Sequence, residues 1–144
     1  GRSWQEITVA GPSMAVSIVA GCLLARQLNV LSLGDDLAVG LGTSLMRSRI
    51  LIGAVATLLA AGAVSVAGLV GFVGLIVPHG VRLLVGTDYR LVLPFSALGG
   101  ALALSTADLL ARLGPTEVPV GIVTAVMGAP IFLWLLYRRS LSSV

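Results

Sequence analysis

The stretch GLVGFVGLIVPHGVRLLVGTDYRLVLP, residues Gly68–Pro94, decides how the fold of this chain is read. It starts inside an apolar run long enough for a membrane, and then interrupts that run with glycines, a proline, a histidine and an arginine. Membrane helices tolerate such interruptions only where the freed backbone groups are buried in protein or line a cavity. The stretch therefore predicts a membrane protein, and transporters place broken segments of this kind near their pathways.

The composition of the whole chain points to lipid as its solvent. Of 144 residues, 57% are hydrophobic and only 10% are charged, whereas a soluble domain carries about 25% charged residues. All nine basic residues are arginines, and they lie at the ends of apolar runs rather than in one basic patch. That placement is typical of membrane topology, so we expect membrane lipid and no nucleic acid as a partner.

Two further features bound the reading of the chain. Cys22 stands alone inside an apolar run, which favours a small packing residue over a ligand or a disulfide partner. The chain begins with Gly and shows no signal peptide, so we expect a fragment of a longer protein.

Four uncharged runs locate the membrane spans. They contain 19, 32, 17 and 20 residues, against the roughly 20 that a helix needs to cross the hydrocarbon layer, and they are Ile7–Ala25, Ile50–Val81, Leu91–Ala107 and Val118–Tyr137.

Arginines on the flanks of these runs predict the orientation. They border the loop Gln27–Ser48 and follow the last run, so both places should be cytoplasmic and an even number of crossings should separate them. The 32-residue run must then cross twice, the second time through a short segment at about Gly68–Leu84 that glycine and proline break. The alternative is that one flank is not cytoplasmic. The predicted fold class is an all-α polytopic transmembrane bundle with about five membrane segments, one of them short and broken.

The cytoplasmic loop, residues 28–48, carries a short helix pattern. Ser32 can cap this helix, with Asp35 completing a weak capping box, and Asp35 and Asp36 would lie in its first turn, where the helix dipole favours them. Gly40 and Gly42 can end it.

Leucines recur at helical spacing along that loop, at Leu33, Leu37 and Leu41. The stripe either packs on its own bundle or docks on a cytoplasmic partner, and the pattern alone leaves both readings open.

Other polar residues offer weaker signals. His79 has no Cys, Asp or Glu beside it, so a packing or interfacial role is favoured over a ligand or proton carrier, and Asp88 and Arg90 should pair or face water. Asp108 and Arg112 are four apart, which predicts an ion pair on one helix face, or an Arg112 exposed on the extracytoplasmic side to an acidic partner. The scattered carboxylates and the one histidine form no enzyme constellation.

Together these motifs resemble the FecCD-type permease family of bacterial ABC importers for iron–siderophores, haem and cobalamin. The resemblance rests on four segments in this order, matching roughly the C-terminal two fifths of such a permease: LNVLSLGDDLAVGLG (Leu28–Gly42), GFVGLIVPHGVRLLVGTDYRLVLP (Gly71–Pro94), ADLLAR (Ala107–Arg112) and VPVGIVTAVMGAPIFLWLLYRR (Val118–Arg139).

The resemblance implies roles for individual residues. Two short coupling helices that sit in a cleft of an ATPase subunit map to Leu31–Gly42, where Asp35 replaces the family's usual Glu. The implied coupling residues are Leu33, Gly34, Asp35, Asp36, Leu37, Gly40 and Leu41. Arg112 would meet glutamates of a substrate-binding lipoprotein on the outer side. The last helix, Val118–Leu136, would line the pathway. The pathway and signature positions are Gly71, Gly74, Pro78, His79, Arg82, Asp88, Arg90, Pro94, Gly121 and Pro130.

The resemblance also implies the assembly and its cargo. We expect a non-enzymatic permease subunit in the bacterial inner membrane, paired with a second permease subunit, an ATPase and a binding lipoprotein, with no directly bound cofactor and no metal site. A ferric siderophore or related chelate is the leading substrate, and haem or cobalamin is the alternative. A secondary transporter or scaffold is a further alternative, but the Ile50–Val81 and Val118–Tyr137 runs lack the intramembrane acids that ion coupling requires.

Overall fold

The computed structural model describes residues 4–113 and 118–141, and these residues form helices without any strand. The helices are α1 (Trp4–Leu23), α2 (Ala25–Ser32), α3 (Asp35–Gly40), α4 (Leu45–Ala67), α5 (Val73–Val85), α6 (Tyr89–Arg112) and α7 (Val120–Leu141). The all-α fold class predicted from the sequence is confirmed.

Three of the described helices, α4, α6 and α7, are long and apolar enough to cross a membrane. Thr8–Leu23 and Ala25–Ser32 pass the same test as a pair bent by 45°. The apolar helix α5 has only 13 residues, or about 20 Å of length. These spans follow the four uncharged runs, and the long run is divided into a full-length helix and a short one, as predicted. The chain is a multi-pass membrane segment.

The chain divides into two compact units. The first comprises the described part of Gly1–Gly68 together with Thr87–Pro94, and the second comprises Leu69–Gly86 and the described residues from Phe95 onward. Helix α6 contributes to both, and the division falls at Pro94. Proline lacks the N–H that would bond one turn back in the helix.

In the first unit, helices α1 and α4 pack closely because glycines stand where they meet. A Cβ on Gly21 would lie 3.8 Å from Val55 Cγ1, and one on Gly62 would lie 3.0 Å from Met14 Cγ. Without a hydrophobic driving force in lipid, close approach through small residues is a main source of helix association. These two glycines therefore allow the contact that holds the first unit together.

The break in the long apolar run lies at residues 68–72 and does not involve the proline. Helix α4 ends at Gly68, which has φ 76° and donates its N–H to Val64 O at 2.9 Å. The expectation that proline also breaks the segment is wrong, because Pro78 lies inside α5. Membrane helices accommodate an internal proline when neighbouring groups satisfy the carbonyl that it frees.

In the second unit, the residues that follow this break lie against α7. Phe72, whose φ of 64° is unusual for a residue with a side chain, packs its ring 5.8 Å from that of Phe132. A Cβ on Gly128 would collide with Phe72, and one on Gly121 would collide with the carbonyl of Leu69. A left-handed backbone conformation at such a residue costs on the order of 1–3 kcal/mol and persists only when packing enforces it. The two glycines of α7 provide the space for that packing.

Replacing Gly128 with alanine should destabilise the full-length protein. The added methyl group meets Phe72, and overpacking of this kind costs roughly 1–3 kcal/mol. Gly100→Ala is the matched control, because a Cβ at Gly100 meets nothing within 4 Å. Thermal unfolding in detergent should show a lower Tm for Gly128→Ala than for Gly100→Ala. Equal Tm values for both variants would contradict the packing described here.

Candidate functional site

Helices α2 and α3 form a compact pair joined by a glycine turn. Gly34 has φ 102° and ψ 158°, a region of the backbone map that is essentially restricted to glycine. It precedes α3, whose first turn holds Asp35 and Asp36 as predicted. The sequence therefore predicted the helix and its acidic first turn.

Ser32 does not cap α3, so that prediction was wrong. Ser32 belongs to the end of α2, and its Oγ donates to the carbonyl of Asn29 at 2.7 Å. A serine within a helix readily bonds back to a carbonyl one turn earlier. Gly34 occupies the N-cap position instead, and no side-chain hydrogen bond caps the helix.

The C-terminal end of α3 is closed by a Schellman motif. Gly42, with φ 78°, donates its N–H to Val39 O at 2.9 Å, and Thr43 donates to Ala38 O at 3.0 Å. This pair of hydrogen bonds, with glycine in the left-handed conformation, satisfies carbonyls that a helix end leaves free. Gly40 is the last helical residue. The predicted end of the helix at these glycines is confirmed.

One face of α3 is buried, and its leucine stripe is not. Ala38 is fully buried, whereas Leu33, Leu37 and Leu41 are 57%, 60% and 65% exposed. Of the two readings of the stripe, packing on its own bundle does not occur among the described residues. An apolar face of this kind on a helix outside the membrane is favourable only when another surface covers it.

An ion pair fixes α3 to the start of α4. Arg49 Nη2 donates to both carboxylate oxygens of Asp35, at 2.8 and 2.9 Å. Both side chains are more than half exposed, so the pair links the two helices but contributes little to stability. The sequence offered no signal for this pairing, because the two residues are on different helices.

A second polar contact joins α2 to the start of α6. Asn29 Nδ2 donates to Asp88 Oδ1 at 2.6 Å, and the backbone N–H of Tyr89 donates to Asn29 Oδ1 at 2.9 Å. The backbone N–H of Arg90 also donates to Asp88 Oδ1, at 2.9 Å. We call these three hydrogen bonds the Asn29 clamp.

The clamp lowers the pKa of the Asp88 carboxyl. The hydrogen bond from the Arg90 backbone, followed by that from Asn29, holds the pKa of the Asp88 carboxyl below its usual value. Asp88 and Arg90 were expected to pair or to face water. Both are exposed, and the hydrogen bond between them comes from the backbone N–H of Arg90. Asn29 was not among the predicted site residues, since an asparagine in a polar loop carries no distinctive pattern.

The clamp also shows where the chain goes after α4. Helix α4 starts beside α3, at the Arg49 ion pair, and its 23 residues extend for about 35 Å. By Asp88 the chain is again hydrogen-bonded to Asn29 of α2, which contacts α3. Residues 68–87 therefore bring the chain back to the end at which α4 began, in agreement with the even number of crossings inferred from the arginines.

An open cleft of about 420 Å³ lies beside the clamp. Arg26 and Arg90 contribute positive charge to its lining, and Asn29 and Asp88 form part of its wall. The candidate site of the first unit is the α2–α3 face with its exposed leucines; the cleft lies beside it.

Arg112 lies at the opposite end of α6 from the clamp. Its Nε donates to Asp108 Oδ2 at 2.8 Å, so the predicted i,i+4 ion pair is present. The side chain of Arg112 is nevertheless 74% exposed. Arg112 therefore forms the ion pair and is still largely exposed to a partner at this end of the helix.

The remaining signature positions are distributed over three helices and one linker. Gly71 lies in the linker after α4; Gly74, Pro78, His79 and Arg82 in α5; Pro94 in α6; Gly121 and Pro130 in α7. His79 and Arg82 are exposed. Among the side chains that the structure describes, which exclude those of residues 6, 7 and 139–141, no three His, Cys, Asp or Glu come close enough to hold a metal ion.

Relatives with assigned names match almost the full chain. A hemin transport system permease protein of Yersinia pestis is 44% identical over 138 residues, which cover 94% of this chain and 41% of that protein. A cobalamin import system permease protein of Halobacterium salinarum is 47% identical over 144 residues, covering 100% of this chain and 39% of its own length. The Fe(3+) dicitrate permease protein FecD of Escherichia coli is 42% identical over 140 residues, covering 96% of this chain and 44% of that protein. The chain thus spans about two fifths of the length of these relatives.

A solved structure shares the fold. It is an inward-facing ABC transporter assigned to the metal-chelate type, with a TM-score of 0.88 and 34% identity, and the match covers 94% of this chain and 46% of that one. The model of the FecCD transport family matches residues 1–138. This chain therefore belongs to the FecCD transport family.

Proposed function

We propose that this chain is part of a permease subunit of an ATP-driven importer, which moves a ferric siderophore or a related large metal chelate across the bacterial inner membrane. The observation that carries the proposal is the α2–α3 face. Three leucines stand exposed on a helix pair that Ala38 and the Asp35–Arg49 ion pair hold against the first unit. A cytoplasmic ATPase subunit is the partner that would cover them.

The proposed mechanism is alternating access driven from this face. An ATPase that closes on ATP would displace α2 and α3, and the displacement would tilt the helices to which they are joined. A partner can shift such an equilibrium only by its differential affinity for the two states. The leucine stripe and the coupling residues from Leu33 to Leu41 must therefore bind the ATP-bound and ATP-free partner unequally.

Membership in the FecCD transport family supports a proposal for the rest of the assembly. We propose a second permease subunit beside this one, and a substrate-binding lipoprotein on the outer side that docks at Arg112. The pathway would run along α7, and the permease itself would bind no cofactor and catalyse no reaction. Haem or cobalamin is the alternative cargo, favoured by the names of the Yersinia pestis and Halobacterium salinarum relatives.

Uptake by the purified full-length permease, reconstituted with its ATPase and binding protein, tests the function. Radiolabelled ferric citrate, hemin and cyanocobalamin are the probes. We expect one of them to enter proteoliposomes only when ATP and the ATPase are present. Uptake that persists without the ATPase, or no uptake of any of the three, would overturn the proposal.

Replacing Leu37 and Leu41 together with alanine should weaken binding of the ATPase at least tenfold. Each exposed leucine loses apolar area that the partner would bury, and 1.4 kcal/mol corresponds to a factor of ten in affinity. Leu109→Ala with Leu113→Ala is the matched control, because Leu109 is exposed near the C-terminal end of α6 and Leu113 is exposed just after it. Titration of detergent-solubilised permease with the ATPase measures the affinity. Equal affinities for the two double variants would place the ATPase elsewhere.

Reversing the charge of Arg112 should weaken docking of the binding protein. Arg112→Glu places a carboxylate where an acidic partner surface is proposed, which costs affinity by repulsion. Asp108→Asn is the control, because it removes the ion pair and leaves Arg112 charged. We expect surface plasmon resonance to show at least tenfold weaker binding for Arg112→Glu and no loss for Asp108→Asn. An equal loss for both variants would mean that Arg112 only supports its own helix.

A further inference from the structure

The Asn29 clamp uses both ends of one side-chain amide. The amide nitrogen donates to the Asp88 carboxylate and the amide oxygen accepts the backbone N–H of Tyr89. These partners fix which end is which, because a carboxylate accepts and a backbone N–H donates. Two bonds from one planar group fix the first turn of α6 to α2 in orientation as well as in distance.

The clamp completes the start of α6. The first N–H groups of a helix have no partner within the helix and need an acceptor from elsewhere. Asp88 accepts the N–H of Arg90, in the manner of an N-cap aspartate. Asn29, 60 positions earlier in the chain, accepts the N–H of Tyr89. One helix of the proposed coupling pair thus provides part of the cap of a membrane-spanning helix.

The two attachments of the helix pair differ in stiffness. The Asp35–Arg49 pair joins two exposed side chains, one of them long and flexible. The Asn29 clamp joins a short, half-buried side chain to the backbone of α6 and to a carboxylate in a charge-assisted bond. A short side chain bonded to a backbone N–H has fewer rotatable bonds with which to adjust than an arginine side chain has. A displacement of α2 should therefore move the first turn of α6 directly, while the ion pair can adjust.

We propose that Asn29 is the positioning residue that transmits movement of the α2–α3 pair to α6. The inference rests on the proposed function, since it assigns a route to the coupling that an ATP-driven importer needs. The route runs from the ATPase-facing leucines through α2 to Asn29, and from Asn29 through Asp88 and Tyr89 into α6. Asn29 contacts neither substrate nor ATPase in this account, and its loss should uncouple transport without abolishing assembly.

The test measures substrate taken up per ATP hydrolysed by the reconstituted full-length importer, with whichever of ferric citrate, hemin and cyanocobalamin the wild type transports. Asn29→Ala should lower this ratio at least fivefold and leave affinity for the ATPase unchanged. Asn29→Asp should lower it similarly at neutral pH, because two carboxylates would then face each other. Asp88→Asn should retain the wild-type ratio, since an asparagine oxygen can still accept from Asn29 and Arg90.

The exchanged variant, Asn29→Asp with Asp88→Asn, tests whether the uptake ratio depends on the hydrogen bond between positions 29 and 88 or only on general damage to the fold. Two of the three hydrogen bonds can re-form with donor and acceptor exchanged: the amide introduced at position 88 donates to the carboxylate introduced at position 29, which also accepts from the Tyr89 N–H. The bond from Arg90 is lost, because Asp88 Oδ1 accepts from both Asn29 and Arg90 and an amide nitrogen in its place cannot accept. We expect the exchanged variant to raise the uptake ratio at least twofold above that of Asn29→Asp. A wild-type ratio for Asn29→Ala, or an exchanged variant as impaired as Asn29→Asp, would overturn the role of Asn29. A wild type that transports none of the three probes with ATP would instead overturn the proposed function.

Discussion

The contact of Asn29 with Asp88 and the backbone of Tyr89 is the interaction on which the arrangement of the first unit depends. It joins residues 59 and 60 positions apart, and it requires the chain to return to the α2–α3 end after α4 has carried it away. The glycine-rich linker and the short helix α5 are the segments that must make this return.

Lipid makes this arrangement possible and restricts how it is built. Inside a membrane every backbone N–H and C=O needs a partner, so breaks in helices are confined to protected places. Here Gly68 closes α4 with a hydrogen bond to Val64. In the second unit, Gly121 and Gly128 let the linker residues Leu69 and Phe72 lie directly on α7. Gly68 thus stands where φ is positive, and Gly121 where the backbone of Leu69 approaches α7.

The sequence predicted the helices well and the contacts between them poorly. Apolar runs, arginine flanks and the leucine spacing located the spans, the short segment and α3, because each signal is local to one element. The two failed predictions concern residues that can take either of two local roles. Ser32 bonds back into α2 instead of capping α3, and Pro78 lies within α5 instead of ending it. Asn29 and Arg49 were missed because their partners are distant in sequence, and no pattern within either helix identifies a residue on another one. The exposure of Leu33, Leu37 and Leu41 could likewise not be read from spacing, which fits a buried face equally well.

The central claim is that the α2–α3 face binds an ATPase subunit, and amide hydrogen exchange tests it most directly. Exchange would be followed in the full-length permease with and without the ATPase. The account predicts that the amides of Asp35–Gly40 exchange more slowly in the complex, while those at the Arg112 end of α6 keep their rate. Unchanged exchange in α3, together with slower exchange at another surface, would contradict it.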